Sequence, residues 1–431
     1  MTTAQPPMHQ PDSLQRDAVQ PDRPLRIFIS TGEVSGDLQG ALLIEALQRQ
    51  AQQLDVTLEI SALGGDRMAA AGATLIGNTS GIGSMGLFES VPFVIPTLKV
   101  QRRAKAALKR QPPDVVVLID YMGPNIAWCN YLAREMPDIP VVYYIAPQEW
   151  VWALNSFNTR NVVRASRRIL AIFPEEARYF EKHGGQVQWV GHPLVDRMAT
   201  AMPREAARQA LGIDPDRPVV VLVPASRRQE IRYLLPVICQ AAQIIQSQVP
   251  DVQFLIPLAL ETYRQPIERA IADYGLNAQI LADLPTEQRD DPAQSITLQA
   301  IAAADLAITK SGTVNLELAL LNTPQVILYK VNRLTAWVLE YLLNFSIPFM
   351  SPPNLVLMRE IVPEFMQHFA SPENLAREAL DILHNPDRRQ QILTDYQAMR
   401  EALGTPGVCD RAAAEILRLV PLITPSGNGN T

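Results

Sequence analysis

The chain has 431 residues, room for two large domains at roughly 100–200 residues each, and 47% of them are hydrophobic, as sizeable cores require. A formal net charge of −6 argues against a nucleic-acid-binding chain, so any basic function has to be local. Cys129, Cys239 and Cys409 stand far apart with no CxxC pair, which argues against a disulfide framework and against a zinc site.

Residues 1–24 hold Pro, Gln and three Asp but no apolar core, and read as a disordered tail rather than a signal or transit peptide. Residues 421–431 read as a second tail. Between them the chain alternates. Leu25–Ser30, Val56–Leu63, Asp114–Asp120, Pro140–Ile145 and Arg168–Phe173 are apolar, β-rich runs, mostly separated by helical stretches. The pattern restarts with a helix over Arg204–Leu211 and a strand over Pro218–Pro224. Strand candidates Val252–Pro257, Asn277–Leu281, Leu306–Thr309 and Gln325–Tyr329 follow. Continuous apolar strands alternating with helices predict two doubly wound parallel sheets, an α/β chain. The stretch from Gly191-His192-Pro193 to Pro203 is the candidate linker, and the chain from Pro363 to about Val420 reads as helices only. The expected domains are 25–198, 199–365 and a helical 366–420. No apolar run reaches the length of about 18 residues that a membrane span needs.

The strand Leu306–Thr309 runs into Lys310-Ser311-Gly312-Thr313 and then a helix. Gly312 permits close backbone approach, Ser311 and Thr313 offer hydroxyls, and a helix start favours an anion. Glu317, one turn in, suits the two hydroxyls of a ribose. An ordinary capped turn explains the same residues equally well. Gly32-Glu33-Val34-Ser35-Gly36-Asp37 after the first strand is similar in style, but has neither a P-loop nor a dinucleotide fingerprint. Asp214-Pro215-Asp216 spells a metal-binding DxD, yet its place before a strand makes it a turn. The five histidines stand without partners at ligand spacing.

Residues 82–98 are apolar, with Met85, Leu87, Phe88 and Phe93 prominent. Lys99, Arg102, Arg103, Lys105, Lys109 and Arg110 then follow with no acid among them. An apolar patch beside a basic helix reads as a membrane-surface contact, the alternative being core plus a solvated face. Leu334–Met350 is a second apolar stretch.

Taken in order, these motifs resemble the lipid-A-disaccharide synthase family of glycosyltransferases. The resemblance spans about Leu25 to Leu419. It includes Thr31 to Asp37, Met85-Gly86-Leu87-Phe88-Glu89, Ile119-Asp120-Tyr121, Ala146-Pro147-Gln148-Glu149-Trp150-Val151-Trp152 and Gly191-His192-Pro193. In the second half it includes Pro224-Ala225-Ser226-Arg227-Arg228, Ser311-Gly312-Thr313 to Glu317, and Pro353-Asn354-Leu355 with Arg359-Glu360. The chain departs from the family's usual residues at Ala225, which crowds a backbone approach, at Lys310 and Lys330, which keep or add positive charge near the diphosphate, and at Leu357-Met358, which bears on the local backbone but not on the class.

The resemblance implies two Rossmann-like domains facing across a cleft, the GT-B type, with the last helices crossing back to the first domain. It implies transfer from UDP-2,3-diacylglucosamine to 2,3-diacylglucosamine 1-phosphate with inversion, no cofactor and no metal. It also implies a place on the cytoplasmic face of a bacterial inner membrane, and leaves a homodimer open. Such a transfer needs one base on the acceptor hydroxyl and stabilisation of the departing diphosphate. Asp120, at the carboxyl end of its strand, is the first candidate for the base, helped by apolar surroundings; the alternative is a helix cap. Glu33 is the second candidate and Asp37 a distant third. The diphosphate and nucleotide fall to Arg227, Lys310, Ser311, Gly312, Thr313, Glu317, Lys330 and Asn354, with Glu360 a candidate for either a ribose contact or a helix cap. Met85, Leu87, Phe88, Phe93, Trp150 and Trp152 are the candidates for the acyl-chain slot, though the two tryptophans suit a core as well. The rivals are another UDP-sugar enzyme of this fold, such as an epimerase or a cell-wall transferase, or a non-catalytic nucleotide-sugar sensor. An epimerase would want a second acid beside Glu317, where Leu318 stands.

Overall fold

The computed structural model describes residues 23–79, 91–151, 157–225, 228–258, 260–282, 295–330 and 349–420. Thirteen strands among them form two wholly parallel sheets. In the first domain these are β1 (Leu25–Ser30), β2 (Leu58–Gly64), β3 (Thr74–Asn78), β4 (Val115–Ile119), β5 (Val141–Tyr144), β6 (Arg168–Ala171) and β7 (Val187–Trp189). In the second they are β8 (Val219–Val223), β9 (Gln253–Leu258), β10 (Ala278–Ala282), β11 (Leu306–Lys310), β12 (Gln325–Tyr329) and β13 (Glu364–Met366). The central strands are apolar throughout because helices cover both faces; every residue of β4 is buried.

The sheet orders are β3-β2-β1-β4-β5-β6-β7 and β10-β9-β8-β11-β12-β13. Strand order reverses between β1 and β4, and again between β8 and β11. In open α/β sheets those switch points, at the carboxyl ends of the strands, are where ligands sit. The sequence reading misses β3, β7 and β13. They are edge strands of three to five residues, and none of their residues is fully buried, so no apolar run announces them. Strand β13 falls in the stretch expected to be helical only, and corrects it.

Two further expectations change. The linker Gly191–Pro203 holds a helix, Leu194–Ala199, with Leu194 and Met198 in the core. The terminal helices divide: Pro372–His384 and Pro386–Leu403 pack on elements of the second domain, whereas Val408–Leu417 packs on the first-domain helix Glu33–Gln53. Crossing back is thus the work of the last helix rather than of all of 366–420. The chain makes the crossing at Leu403, whose carbonyl accepts the His192 N–H at 2.8 Å. Of the expected tail, residues 1–22 lie outside the described residues, as does 421–431; Arg23 pairs with Asp114 at 2.6 Å. All three cysteines are buried and free.

Candidate active site

At the first switch point, β4 ends in two left-handed residues, Asp120 (φ 45°) and Tyr121 (φ 51°), and β5 ends in a third, Ile145 (φ 59°). Left-handed backbone is costly for residues with a side chain, and such strain gathers at functional sites. Here it is held by a frame. The Asp120 carbonyl accepts from Asn125 Nδ2 and from the Tyr143 hydroxyl, both at 2.9 Å, and its N–H donates to the Ile145 carbonyl at 3.0 Å. Asn125 is fully buried and also donates to the carbonyls of Ser30 and Ile119, while accepting from the Ser30 hydroxyl at 2.8 Å. It therefore laces the end of β1 to the end of β4. The turn carries Asp120 beyond the sheet edge, and the residue is exposed. The apolar surroundings expected for it are not supplied by the described residues.

The glycines of the first turn serve close packing. A Cβ on Gly32 would overlap the Tyr121 ring, and one on Gly36 would overlap the Thr31 hydroxyl. Asp37 is buried and accepts the N–H groups of Gly65, Arg67 and Met68 at 2.7–3.2 Å, so it starts the next short helix and is no free base. The side chain of Glu33 lies outside the described residues.

The second switch point has the same plan. Asn315 is fully buried on the helix Val314–Leu320. Its Nδ2 donates to the Lys310 carbonyl at 3.1 Å and to Gln325 Oε1 at 2.9 Å, and its Oδ1 accepts the Gly312 N–H at 2.6 Å. Thus neither Ser311 nor Thr313 caps this helix; the Ser311 hydroxyl donates instead to the Met350 carbonyl at 2.8 Å. Among the described residues the N–H groups of Thr313 and Val314 have no acceptor, and both residues are half-buried. They are the donors left open at this helix start, in place of Gly312. The Lys310 ammonium lies against Gly312, where an added Cβ would meet it at 2.9 Å, and pairs with Glu230 at 3.7 Å. Lys330 is half-buried beyond β12, and burial pulls its ammonium below the usual lysine range.

Two more expected nucleotide contacts have other partners. Glu317 is paired with Arg197 of the interdomain helix Leu194–Ala199, a residue the sequence does not single out. Asn354 is fully buried, and its amide is taken up by Ile361, Val362 and Glu364, so it shapes the loop rather than reaching outward. Glu364 on β13 also accepts from Met350 and Ser351, which ties this loop to Ser311. Glu360 is exposed. Arg227 lies outside the described residues, although the strand that leads to it, β8, runs beside β11 as expected. Asp214 Oδ1 accepts the Asp216 N–H at 3.0 Å, an ordinary Asx turn on an exposed loop.

Met85, Leu87, Phe88 and Trp152, and the side chain of Phe93, lie outside the described residues, as do residues 331–348. Trp150 packs against Phe173 at 5.6 Å between ring centres, and Phe173 packs against His192 at 5.4 Å, so Trp150 belongs to the core edge. Five of the six basic residues of the helix Val91–Arg110 separate into two sets; Arg110, at its end, is exposed, with Nε donating to the Ala106 carbonyl at 3.3 Å. Lys105 lies over the Tyr131 ring at 4.6 Å and Lys109 pairs with Glu135 at 3.0 Å. Lys99, Arg102 and Arg103 are exposed beside Ile95 and Leu98, two of the most exposed large apolar side chains. Among the described residues no helix is long and apolar enough to cross a membrane.

The family model described as lipid-A-disaccharide synthetase matches residues 27–418. The lipid-A-disaccharide synthase of Gloeothece citriformis is 57% identical over 92% of this chain and 100% of its own length. Among solved structures, the UDP-GlcNAc 2-epimerase of Neisseria meningitidis bound to UDP-GlcNAc superposes with a TM-score of 0.58 at 13% identity, over 91% of this chain and 100% of that one. The glycotransferase of kitacinnamycin superposes with a TM-score of 0.56 at 14% identity, over 93% and 100%. These two likenesses carry the fold alone.

Proposed function

The chain belongs to the lipid-A-disaccharide synthase family, glycosyltransferases of lipid A biosynthesis, and we propose that it joins UDP-2,3-diacylglucosamine to 2,3-diacylglucosamine 1-phosphate by a single inverting displacement. Asp120 takes the proton of the acceptor 6-hydroxyl as its oxygen attacks the anomeric carbon. The bond from that carbon to the diphosphate breaks, and UDP departs. Its charge is met by the Thr313 and Val314 N–H groups with Arg227 and Lys330, and to a smaller degree by Lys310, whose charge Glu230 largely offsets. Glu317 receives the ribose hydroxyls. The reading calls for no metal. The products are the β-1,6-linked disaccharide 1-phosphate and UDP.

The observation that supports this most is the held, left-handed Asp120 at a switch point, exposed to an acceptor and braced from behind by Asn125 and Tyr143. The test is Asp120→Ala. UDP release from donor and lipid acceptor should fall by about 10²–10⁴, the usual contribution of a general base, while UDP still binds. Release at the wild-type rate removes Asp120 from the mechanism.

Acyl chains imply work at a membrane surface. Ile95 and Leu98 would enter the headgroup boundary, with Lys99, Arg102 and Arg103 against anionic lipid at about 1 kcal/mol each. Lys105 and Lys109, engaged within the fold, contribute less. On this reading the enzyme works as a peripheral protein on the cytoplasmic face of the inner membrane.

A further inference from the structure

The segment Gly191–Pro203 reads in the sequence as a connector, yet it is pinned at both sides. Asp196 accepts the N–H groups of Gly407, Val408 and Cys409 at 2.6–3.1 Å, which anchors the helix Leu194–Ala199 to the start of the last helix. The next residue, Arg197, reaches the opposite way and pairs through Nη1 with Oε1 of Glu317. The two side chains are only 13% and 10% exposed, which separates this pair from the solvated ones that contribute little. A guanidinium on one carboxylate oxygen leaves the lone pairs of the other for further donors. Among the described residues Glu317 Oε2 accepts no hydrogen bond.

We propose that Arg197 is a positioning residue for nucleotide recognition: it fixes the Glu317 carboxylate so that Oε2 receives the ribose hydroxyls, and so sets the preference for ribo- over 2′-deoxyribonucleotides. The inference rests on the reading that Glu317 meets the ribose. Its physical basis is pre-organisation. A free glutamate side chain loses rotamer freedom when a ligand orders it, and a carboxylate already held by a buried guanidinium has lost most of that freedom beforehand. Because Arg197 comes from the interdomain helix and not from the second sheet, the donor domain alone holds an incomplete ribose subsite.

The test uses the full chain and calorimetric binding of UDP and of 2′-deoxy-UDP. Glu317→Ala should bring the two affinities together; if it keeps the wild-type ratio, the ribose reading itself fails and the inference falls with it. Given that collapse, Arg197→Met should weaken UDP about tenfold and move the ratio toward that of Glu317→Ala, about what one oriented charged hydrogen bond contributes. Arg197→Lys should fall between Arg197→Met and wild type, since it keeps the charge but not the planar fork. In the Glu317→Ala background Arg197→Met should leave the ratio where Glu317→Ala put it. A collapsed ratio in Glu317→Ala with an intact one in Arg197→Met, or tighter UDP binding by Arg197→Met, overturns the role of Arg197. Should Arg197→Met not fold, Arg197→Lys decides alone: an unchanged ratio there overturns it.

Discussion

The two domains solve one structural problem in the same way and then diverge within three residues. In each, a fully buried asparagine near the start of a helix, Asn125 or Asn315, turns back to hold the end of the strand before it, β4 or β11. After β4 the chain enters two left-handed residues and presents a carboxylate, Asp120. After β11 it passes through Gly312 and presents N–H groups and the Lys310 ammonium. The frame is shared and the charge it displays is opposite. One frame thus holds a carboxylate in the first domain and open N–H groups in the second, and the difference lies in the turn rather than in the sheet.

The largest expected effects test the frame. Asn315→Ala strands the Gly312 N–H and Gln325 Oε1, and Asn125→Ala removes the buried donor shared by the carbonyls of Ser30, Ile119 and Asp120. Each should cost about 2–4 kcal/mol in urea unfolding, because buried polar groups are left unpaired. A loss within experimental error in either one would break the parallel between the domains. Thr313→Pro comes next. Its φ of −56° already suits proline, so the change removes mainly one N–H beyond what Thr313→Ala removes. The donor KM should rise about tenfold relative to Thr313→Ala, with kcat changed less. An unchanged KM would take the helix start out of donor binding.

The first domain should also differ from the second in its response to acid. His192 sits in the first domain's buried aromatic row, and its Nδ1 accepts the Leu194 N–H at 3.2 Å. Burial pulls the imidazole down from 6.5 to about 3. Below pH 6.5 the unfolded chain takes up this proton and the folded one does not, so stability falls as pH drops from about 6.5 toward 3. His192→Asn, which keeps an acceptor, should show a shallower acid loss in thermal melts; an identical slope would mean the imidazole is protonated in the fold. The smallest effect is Lys310→Ala. With Glu230 beside it, the ammonium brings little net charge to the diphosphate, and UDP affinity should fall by no more than about threefold. A tenfold loss would show that Glu230 does not compensate it.

Strand existence was legible wherever a strand is buried on both faces, as in β4 and β11, because burial demands a continuous apolar run. The short edge strands were not, since Thr74–Asn78 and Glu364–Met366 bury too little to leave a pattern. Asp120 and the Ser311 turn were legible from their place at strand ends. The contacts around them were not. Asn125, Asn315, Arg197 and Glu364 look like ordinary polar residues in the sequence, and only their burial assigns them partners. Ser311 and Asn354 show the converse, residues chosen as ligand contacts whose polar atoms the fold engages for itself.

Periodicity and motif order therefore determined the class of this protein by themselves: two parallel α/β sheets, and a family resemblance that the comparisons carry into membership. Both are local signals, written in runs of a few residues or in short segments in register. The tertiary structure decided who holds whom. Arg197 and Glu317 are 120 residues apart, Asp196 and Cys409 are 213, and a sequence holds no information about such pairings that composition or spacing can read. Hydrogen bonds and ion pairs form between groups that the packing of helices on sheets brings within reach, so the site's frame is set only once both cores have closed.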